Sequence, residues 1–254
     1  MEIRLLGPVE LVGTPRRVAL GTPRQRCVLA VLAMTPGQVV PIEAIVGRVW
    51  GQEPPMHVRN VVYTHVSRLR GALKGVSAHI VREAGGYVLA LPPHRVDVYR
   101  ARNLAARARV ENDRTRAATL LASACAQWTA TPLAGIDGDW AAATRQALRR
   151  EHATLLLRRF SAELKLGRTG SLIGPLSEAM IQHPFDEPLA GLLMVVLYRT
   201  GRRADALALH DEVRRRLRDC LGVEPGHALE RLHVQVLHRA PHLEDQDAPL
   251  LTGG

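Results

Sequence analysis

Residues 58–75 read VRNVVYTHVSRLRGALKG, and residues 76–92 follow directly as VSAHIVREAGGYVLALP. At ~100° per residue, Val58, Val62, Val66, Leu69 and Leu73 fall within an arc of about 80°. The segment is therefore a helix with one face to bury. Its opposite face collects Asn60, Tyr63, Thr64, Ser67, Arg68 and Lys74, with Arg59 and Arg70 flanking. Gly71 and Gly75 weaken its end. The next segment reads as a hairpin: Ile80 and Val81 form one arm, Gly85-Gly86 the turn, and Tyr87, Val88, Leu89 and Leu91 the other arm.

Working back towards the N-terminus, Thr22-Pro23 is a helix start, a hydroxyl N-cap followed by Pro at the first helical position. That helix, RQRCVLAVLAM, shows helical spacing at Cys27, Leu29 or Ala30, Val31 and Met34, and it stops at Pro36-Gly37. A second helix begins near Pro41, with Ile42, Ile45, Val46, Val49 and Trp50 on its buried face, and ends at Gly51. Pro54-Pro55 then fix a rigid loop. Residues 2–20 read as three short strands. Ile3 with Leu5 makes the first and Val9 with Leu11 the second; RRVAL, residues 16–20, makes the third after a turn at GTP, residues 13–15.

Three strands, three helices and a Gly-tipped hairpin on the third helix form the order of a winged helix. That order explains the quoted stretch. A helix seated in a protein buries one face. If its other face enters a major groove, that face needs short polar groups for base edges and Arg for guanine or phosphate. Asn60, Thr64 and Ser67 are short enough for bases, and Arg68 and Arg70 reach further. Arg82, near the hairpin tip, suits phosphate or the minor groove. Arg24 adds a phosphate contact beside the exposed N–H groups of the first helix. Any surface helix has a polar face, so the face alone decides nothing; the element order, the hairpin and the charge distribution do. Tyr87, just after the turn glycines, is expected to pack under the hairpin.

The charge is uneven. The 254 residues carry a net +10. Twelve Lys and Arg stand against five Asp and Glu in residues 1–96, an excess of seven, which leaves three for the rest. The shorter N-terminal part therefore favours a polyanionic partner. With 46% apolar residues the chain can bury a core, and with 4% aromatics that core rests on Leu, Val, Ile and Ala.

Pro92-Pro93 marks a boundary. Beyond it the pattern predicts amphipathic helices over 98–111, 114–128, 139–166, 169–183, 187–200, 203–220 and 226–238. Gly167-Arg168 and Gly201-Arg202 lie 34 positions apart, the tetratricopeptide period, although the aromatics of that repeat are missing. The expected architecture is an α+β winged helix-turn-helix N-terminal domain, residues 1–96, followed by an all-α tetratricopeptide-like helical domain, residues 97–240. Residues 241–254 form a flexible polar tail.

The segments LGTPRQRCVLAVLAMTPGQVVPIEAIVGRVWGQEPP, YTHVSRLRGAL and REAGGYVLALPPHRVDVYR resemble the N-terminal half of the Streptomyces antibiotic regulatory proteins. LKLGR, HPFDEPLAGLLMVVLYRTGRRADAL and LGVEPGHALERLHVQVL resemble their bacterial transcriptional activation domain. The likeness covers about residues 1–240. It implies a winged helix of the response-regulator effector type and a DNA-binding activator that recruits RNA polymerase to secondary-metabolite, antibiotic-type gene clusters. It further implies homodimers or paired protomers on direct repeats of double-stranded DNA. The loop Gln52, Glu53, Pro54, Pro55 and Met56 matches the segment that contacts polymerase in this winged-helix type. No receiver domain and no GxxxxGK[ST] loop is found, so a short member without the ATPase module of some relatives is expected. The family's leucine-rich first helix is here CVLAVLAM, a departure that touches packing.

Other chemistries find little support. Eleven His invite a metal, yet no HExxH occurs, and His227, His233 and His238 do not share one helical face. Asp137 and Asp139 stand among Gly135, Gly138 and Trp140, where an N-cap at Asp139 explains them better than paired catalytic carboxylates. No GxSxG or GxGxxG occurs. No enzyme activity, cofactor or metal is expected. Cys27, Cys125 and Cys220 are scattered along predicted helices, which argues against a disulfide framework and for buried thiols in a reducing compartment. The start MEIRLLGPVELVG is no signal peptide, and no apolar run reaches a membrane span, so no membrane and a cytoplasmic location are expected. The competing reading is a tetratricopeptide-like adaptor whose basic N-terminal part binds protein.

Overall fold

The computed structural model describes residues 2–13, 18–74 and 78–243. The first two residues of the expected third strand, part of the turn before it, Gly75 and residues 244–254 of the expected tail lie outside the described residues. The chain divides into two compact units. One holds residues 1–106 with 123–151, and the other holds 107–122 with 152–254.

In the first unit, β1 (Glu2–Arg4) and β2 (Glu10–Val12) pair antiparallel, with Ile3 opposite Leu11. Residues 18–20, the described end of the expected third strand, are irregular. Three helices follow: α1 (Pro23–Ala33), α2 (Ile42–Trp50) and α3 (Val58–Ala72). Thr22 caps α1 as expected, its side chain accepting from the Gln25 N–H at 3.3 Å, with Pro23 opening the helix. The amphipathic reading of α1 is too narrow: Cys27 to Ala33 are all buried, because α2, α3 and the hairpin pack around it. A strand absent from the sequence reading, β3 (Val40–Pro41), precedes α2. It joins the hairpin β4 (His79–Glu83) and β5 (Gly86–Ala90) in a sheet of order β3-β5-β4.

The hairpin turn differs by one residue from the expected Gly85-Gly86. Glu83 pairs with Gly86, so the loop residues are Ala84 and Gly85. Gly85 has φ +77°, whereas Gly86 is already strand. The carbonyl of Gly85 accepts from the Ile42 N–H at 3.1 Å, which satisfies one of the open amides at the start of α2.

The segment after the Pro pair is fastened to β1. Asp97 opens α4 (Asp97–Val110), and its carboxylate accepts the N–H groups of Leu5, Leu6 and Val98 at 2.8–2.9 Å. The loop before α6 (Asp139–Lys165) also bonds here, Leu133 N–H to the Leu5 carbonyl at 2.9 Å and Thr129 N–H to that of Leu6 at 3.0 Å. These bonds explain why residues 97–106 and 123–151 belong to the compact unit of the N-terminal strands. Asp139 is the first residue of α6, one step inside the expected cap position.

Each of the seven segments predicted beyond Pro93 holds a helix. Besides α4 and α6 these are α5 (Arg114–Cys125), α7 (Ile173–Gln182), α8 (Glu187–Arg199), α9 (Arg203–Leu221) and α10 (His227–Leu237). Segment 169–183 starts as a 3-10 turn at Gly170–Leu172. In the second unit α8 is central, buried from Leu189 to Leu197, and α7, α9 and α10 pack on it. Asp186 caps it, accepting from the Leu189 N–H at 3.0 Å. Gly167 and Gly201 both turn with positive φ, +74° and +79°, so the 34-residue echo is one geometric device used twice. Among the described residues no strand follows β5, and no helix is long and apolar enough to cross a membrane. Cys27 and Cys125 are buried as expected, and burial pushes the Cys27 thiol up to about 12. Cys220 departs from the expectation: it is exposed on the last turn of α9, beside Leu221 and Val223, which are exposed as well.

Candidate nucleic-acid interface

Helix α3 is anchored through Val62, His65, Val66 and Leu69. Val58, expected in the stripe, is only half-buried, while His65, not foreseen, is 8% exposed. The His65 ring stacks on Trp50, with centroids 6.0 Å apart and planes at 16°. Burial lowers its pKa, and the charges of Arg68 and Arg24 lower it further. That effect places Arg24, exposed at the start of α1, in the same positive field as Arg68 on α3.

The outer face of α3 matches the expectation closely. Arg59, Asn60, Thr64, Ser67, Arg68 and Arg70 are exposed, as is Lys74 just beyond the helix, and Tyr63 is half-buried. Several of these groups already have partners. Arg59 pairs with Glu43 at 2.7 Å, both well solvated, so this pair contributes little to stability. Thr64 donates its hydroxyl to the Asn60 carbonyl at 3.0 Å, which leaves its oxygen as an acceptor. Asn60, Ser67 and Arg68 are the exposed groups best suited to base edges.

The hairpin is tied to α3 at two points. The Arg82 guanidinium lies 5.3 Å from the Tyr63 ring centroid. Arg70 donates from Nε to the Ile80 carbonyl at 2.7 Å and lies 5.8 Å from the Tyr87 ring. The structure thus gives Arg70 a task the sequence did not suggest, fastening the end of α3 to β4. Tyr87 is buried at 3% exposure, as expected for a residue packed under the hairpin. The sequence carried no signal for the Arg70 bond, because a backbone carbonyl ten positions away leaves no trace in residue type.

The loop Gln52, Glu53, Pro54, Pro55 and Met56 is exposed throughout. Its ends are fixed: Glu53 N–H donates to the Trp50 carbonyl at 3.3 Å and Val58 N–H to that of Pro55 at 3.0 Å. Met56 is 93% exposed, an apolar side chain held out on a pinned loop.

Comparison with known proteins agrees with this arrangement. Residues 16–89 match the family described as "Transcriptional regulatory protein, C terminal", and residues 96–237 match "Bacterial transcriptional activator domain". The chain is similar to Regulatory protein AfsR of Streptomyces coelicolor, 36% identical across 98% of this chain and 25% of AfsR. It is also similar to Transcriptional regulator RedD of the same organism, 33% identical across 96% of this chain and 72% of RedD. The chain spans about a quarter of the length of the AfsR regulators. Among solved structures, Mycobacterium tuberculosis EmbR in complex with a low affinity phosphopeptide superposes with a TM-score of 0.83 at 28% identity. That match covers 94% of this chain and 65% of EmbR. The two matched segments span α3, the hairpin beside it and the helices that follow, and the chain belongs to the Streptomyces antibiotic regulatory protein family, a family of transcriptional regulators.

Proposed function

We propose that this protein is a sequence-specific DNA-binding activator of a secondary-metabolite gene cluster. In this reading paired protomers occupy direct repeats near a promoter and recruit RNA polymerase. The observation that carries it is the exposed face of α3, where Asn60, Ser67 and Arg68 stand free of one another while Arg82 of the hairpin is stacked on Tyr63. α3 enters the major groove, and the hairpin lies along the adjacent backbone. Arg24, Arg59 and Lys74 supply phosphate contacts, and Asn60, Thr64, Ser67 and Arg68 face the bases. The tetratricopeptide-like helices 97–240 serve contacts between protomers, and Gln52 to Met56 meet the polymerase. The names AfsR and RedD, both regulators in Streptomyces, support the same assignment.

Fluorescence anisotropy with the duplex upstream of the target promoter and a scrambled duplex, titrated across salt, tests the first step. A protein that neutralises roughly 6–10 phosphates loses about 10³–10⁵ in affinity between about 50 and 200 mM salt. Weak, equal binding to both duplexes would overturn the reading in favour of a protein-binding adaptor. Arg68→Ala is expected to cost about 1–3 kcal/mol on the specific duplex, with little change on the scrambled one. Equal losses on both would make Arg68 a phosphate contact instead.

The polymerase loop is separable. Pro55→Ala and Met56→Ala are expected to leave DNA affinity unchanged while lowering transcript yield in a reconstituted transcription assay. Full activation by both variants would remove the loop from the polymerase contact.

A further inference from the structure

Three side chains of metal-ligand type converge between α9 and α10. His210 sits on α9 at 1% exposure, and Glu230 and His233 lie on α10. The last two are three positions apart, so they project from one face of their helix one turn apart. One ligand atom from each of the three lies within 4.8 Å of the others. Nε2 of His210 is 3.3 Å from Oε1 of Glu230, and the two imidazoles stack with centroids 4.0 Å apart.

His210 makes the cluster more than a chance grouping. Both its ring nitrogens are buried, and neither has a hydrogen-bond partner among the described residues. A buried polar group left in that state costs free energy unless something else satisfies it. A second acid beside the ring, Asp211, holds its Oδ1 3.6 Å from Nδ1, beyond a hydrogen bond. The neighbouring His233 brings a second imidazole, a common metal ligand, to the same cluster.

We propose that His210, Glu230 and His233 form a binding site for a divalent transition-metal ion of the zinc class. Two imidazoles and one carboxylate suit zinc, whereas calcium and magnesium demand oxygen ligands. A Glu-x-x-His pair on one helix completed by a residue of a facing helix is a recurrent way to build a metal site inside a helical bundle. The carboxylates of Glu230 and Asp211 offset the ion's charge. Arg214, the nearby cation, is paired with Glu224 at 2.9 Å. Glu230 and His233 are half-exposed, which gives the ion an entry path and leaves a coordination position for water. Binding requires His233 to rotate out of the stack so that both rings aim at one point. The ion would then cross-link α9 to α10.

The test uses the full chain freed of any histidine tag, titrated with Co²⁺ by its d–d absorption and with Zn²⁺ by calorimetry. We expect one saturable site, and a rise in Tm on Zn²⁺ addition. Glu230→Gln and His233→Gln change half-exposed residues and are expected to fold, as circular dichroism would verify. Each is expected to weaken the site more than about tenfold and to abolish the Tm rise. Cys220→Ser, on α9 with His210, is expected to change neither. Absence of saturable binding would overturn the site. So would unchanged affinity in both α10 variants, which would assign binding to other histidines, or loss of binding in Cys220→Ser, which would assign it to a thiolate.

Discussion

Asp97→Ala is expected to lower the unfolding free energy of the N-terminal unit by about 3–5 kcal/mol. Asp97 is 2% exposed, and its two oxygens accept N–H groups from Leu5, Leu6 and Val98 at 2.8–2.9 Å. Burial pushes its carboxyl up, and the amides of Leu6, Leu5 and Val98 hold against that rise. Alanine strands three amides among Ile3, Leu5, Leu6, Val96 and Val98, all of them buried, and water cannot reach them. Asp97→Asn is expected to cost less but not to be neutral, because its NH₂ adds donors where only acceptors are wanted. Urea unfolding followed by tryptophan fluorescence measures this directly. The chain's three tryptophans, Trp50, Trp128 and Trp140, all lie in this unit, so the signal reports on it alone. A loss below about 1 kcal/mol for Asp97→Ala would show that the clasp between β1 and α4 is not what holds the segment after Pro93.

The contrast between Asp97 and α3 shows what a sequence carries. The exposed face of α3 was legible because a helix repeats its own geometry: Val62, Val66 and Leu69 fix which side is buried, and Asn60, Ser67 and Arg68 follow on the other. The helix starts at Thr22 and the positive-φ turns at Gly167 and Gly201 were legible for a similar reason, since local backbone chemistry selects those residues. What stayed hidden depends on distant partners. Asp97 reads as an ordinary acid at a helix start until Leu5, ninety-two positions away, is placed beside it. β3 is two residues long and contains Pro41, so no alternating pattern could mark it. The trio of His210, Glu230 and His233 escapes a search along α10, because His210 comes from the helix before it. His65 lies on the buried side of α3 with Val62 and Leu69 and stacks its ring on Trp50, a contact that only the packing of α2 on α3 creates.

The two glycines of the hairpin look alike in sequence, yet replacing each with alanine should give different results. Gly85 needs its φ of +77°, and a Cβ there would meet open space. Gly85→Ala is therefore expected to cost only about 1 kcal/mol, the conformational penalty of a left-handed residue. At Gly86 the obstacle is steric: a Cβ would stand 2.3 Å from the Val40 carbonyl oxygen and 3.0 Å from the Pro41 Cα. Those are backbone atoms of β3, and they cannot rotate aside. Relief requires β3 to part from β5, breaking the pairs Val40–Tyr87 and Pro41–Gly86. It also shifts the Gly85 carbonyl that holds the first amide of α2 at 3.1 Å. Gly86→Ala is expected to cost about 3 kcal/mol, at the upper end of overpacking penalties. On the proposed function the damage should reach DNA binding, because β5 belongs to the hairpin whose Arg82 is stacked on Tyr63 of α3. Urea unfolding by tryptophan fluorescence ranks the two variants, and anisotropy at constant salt compares their affinity for the specific duplex. Equal stability of the two alanine variants would mean that β3 yields freely to the hairpin. The wing would then be set by α3 alone, through Arg70 and Ile80.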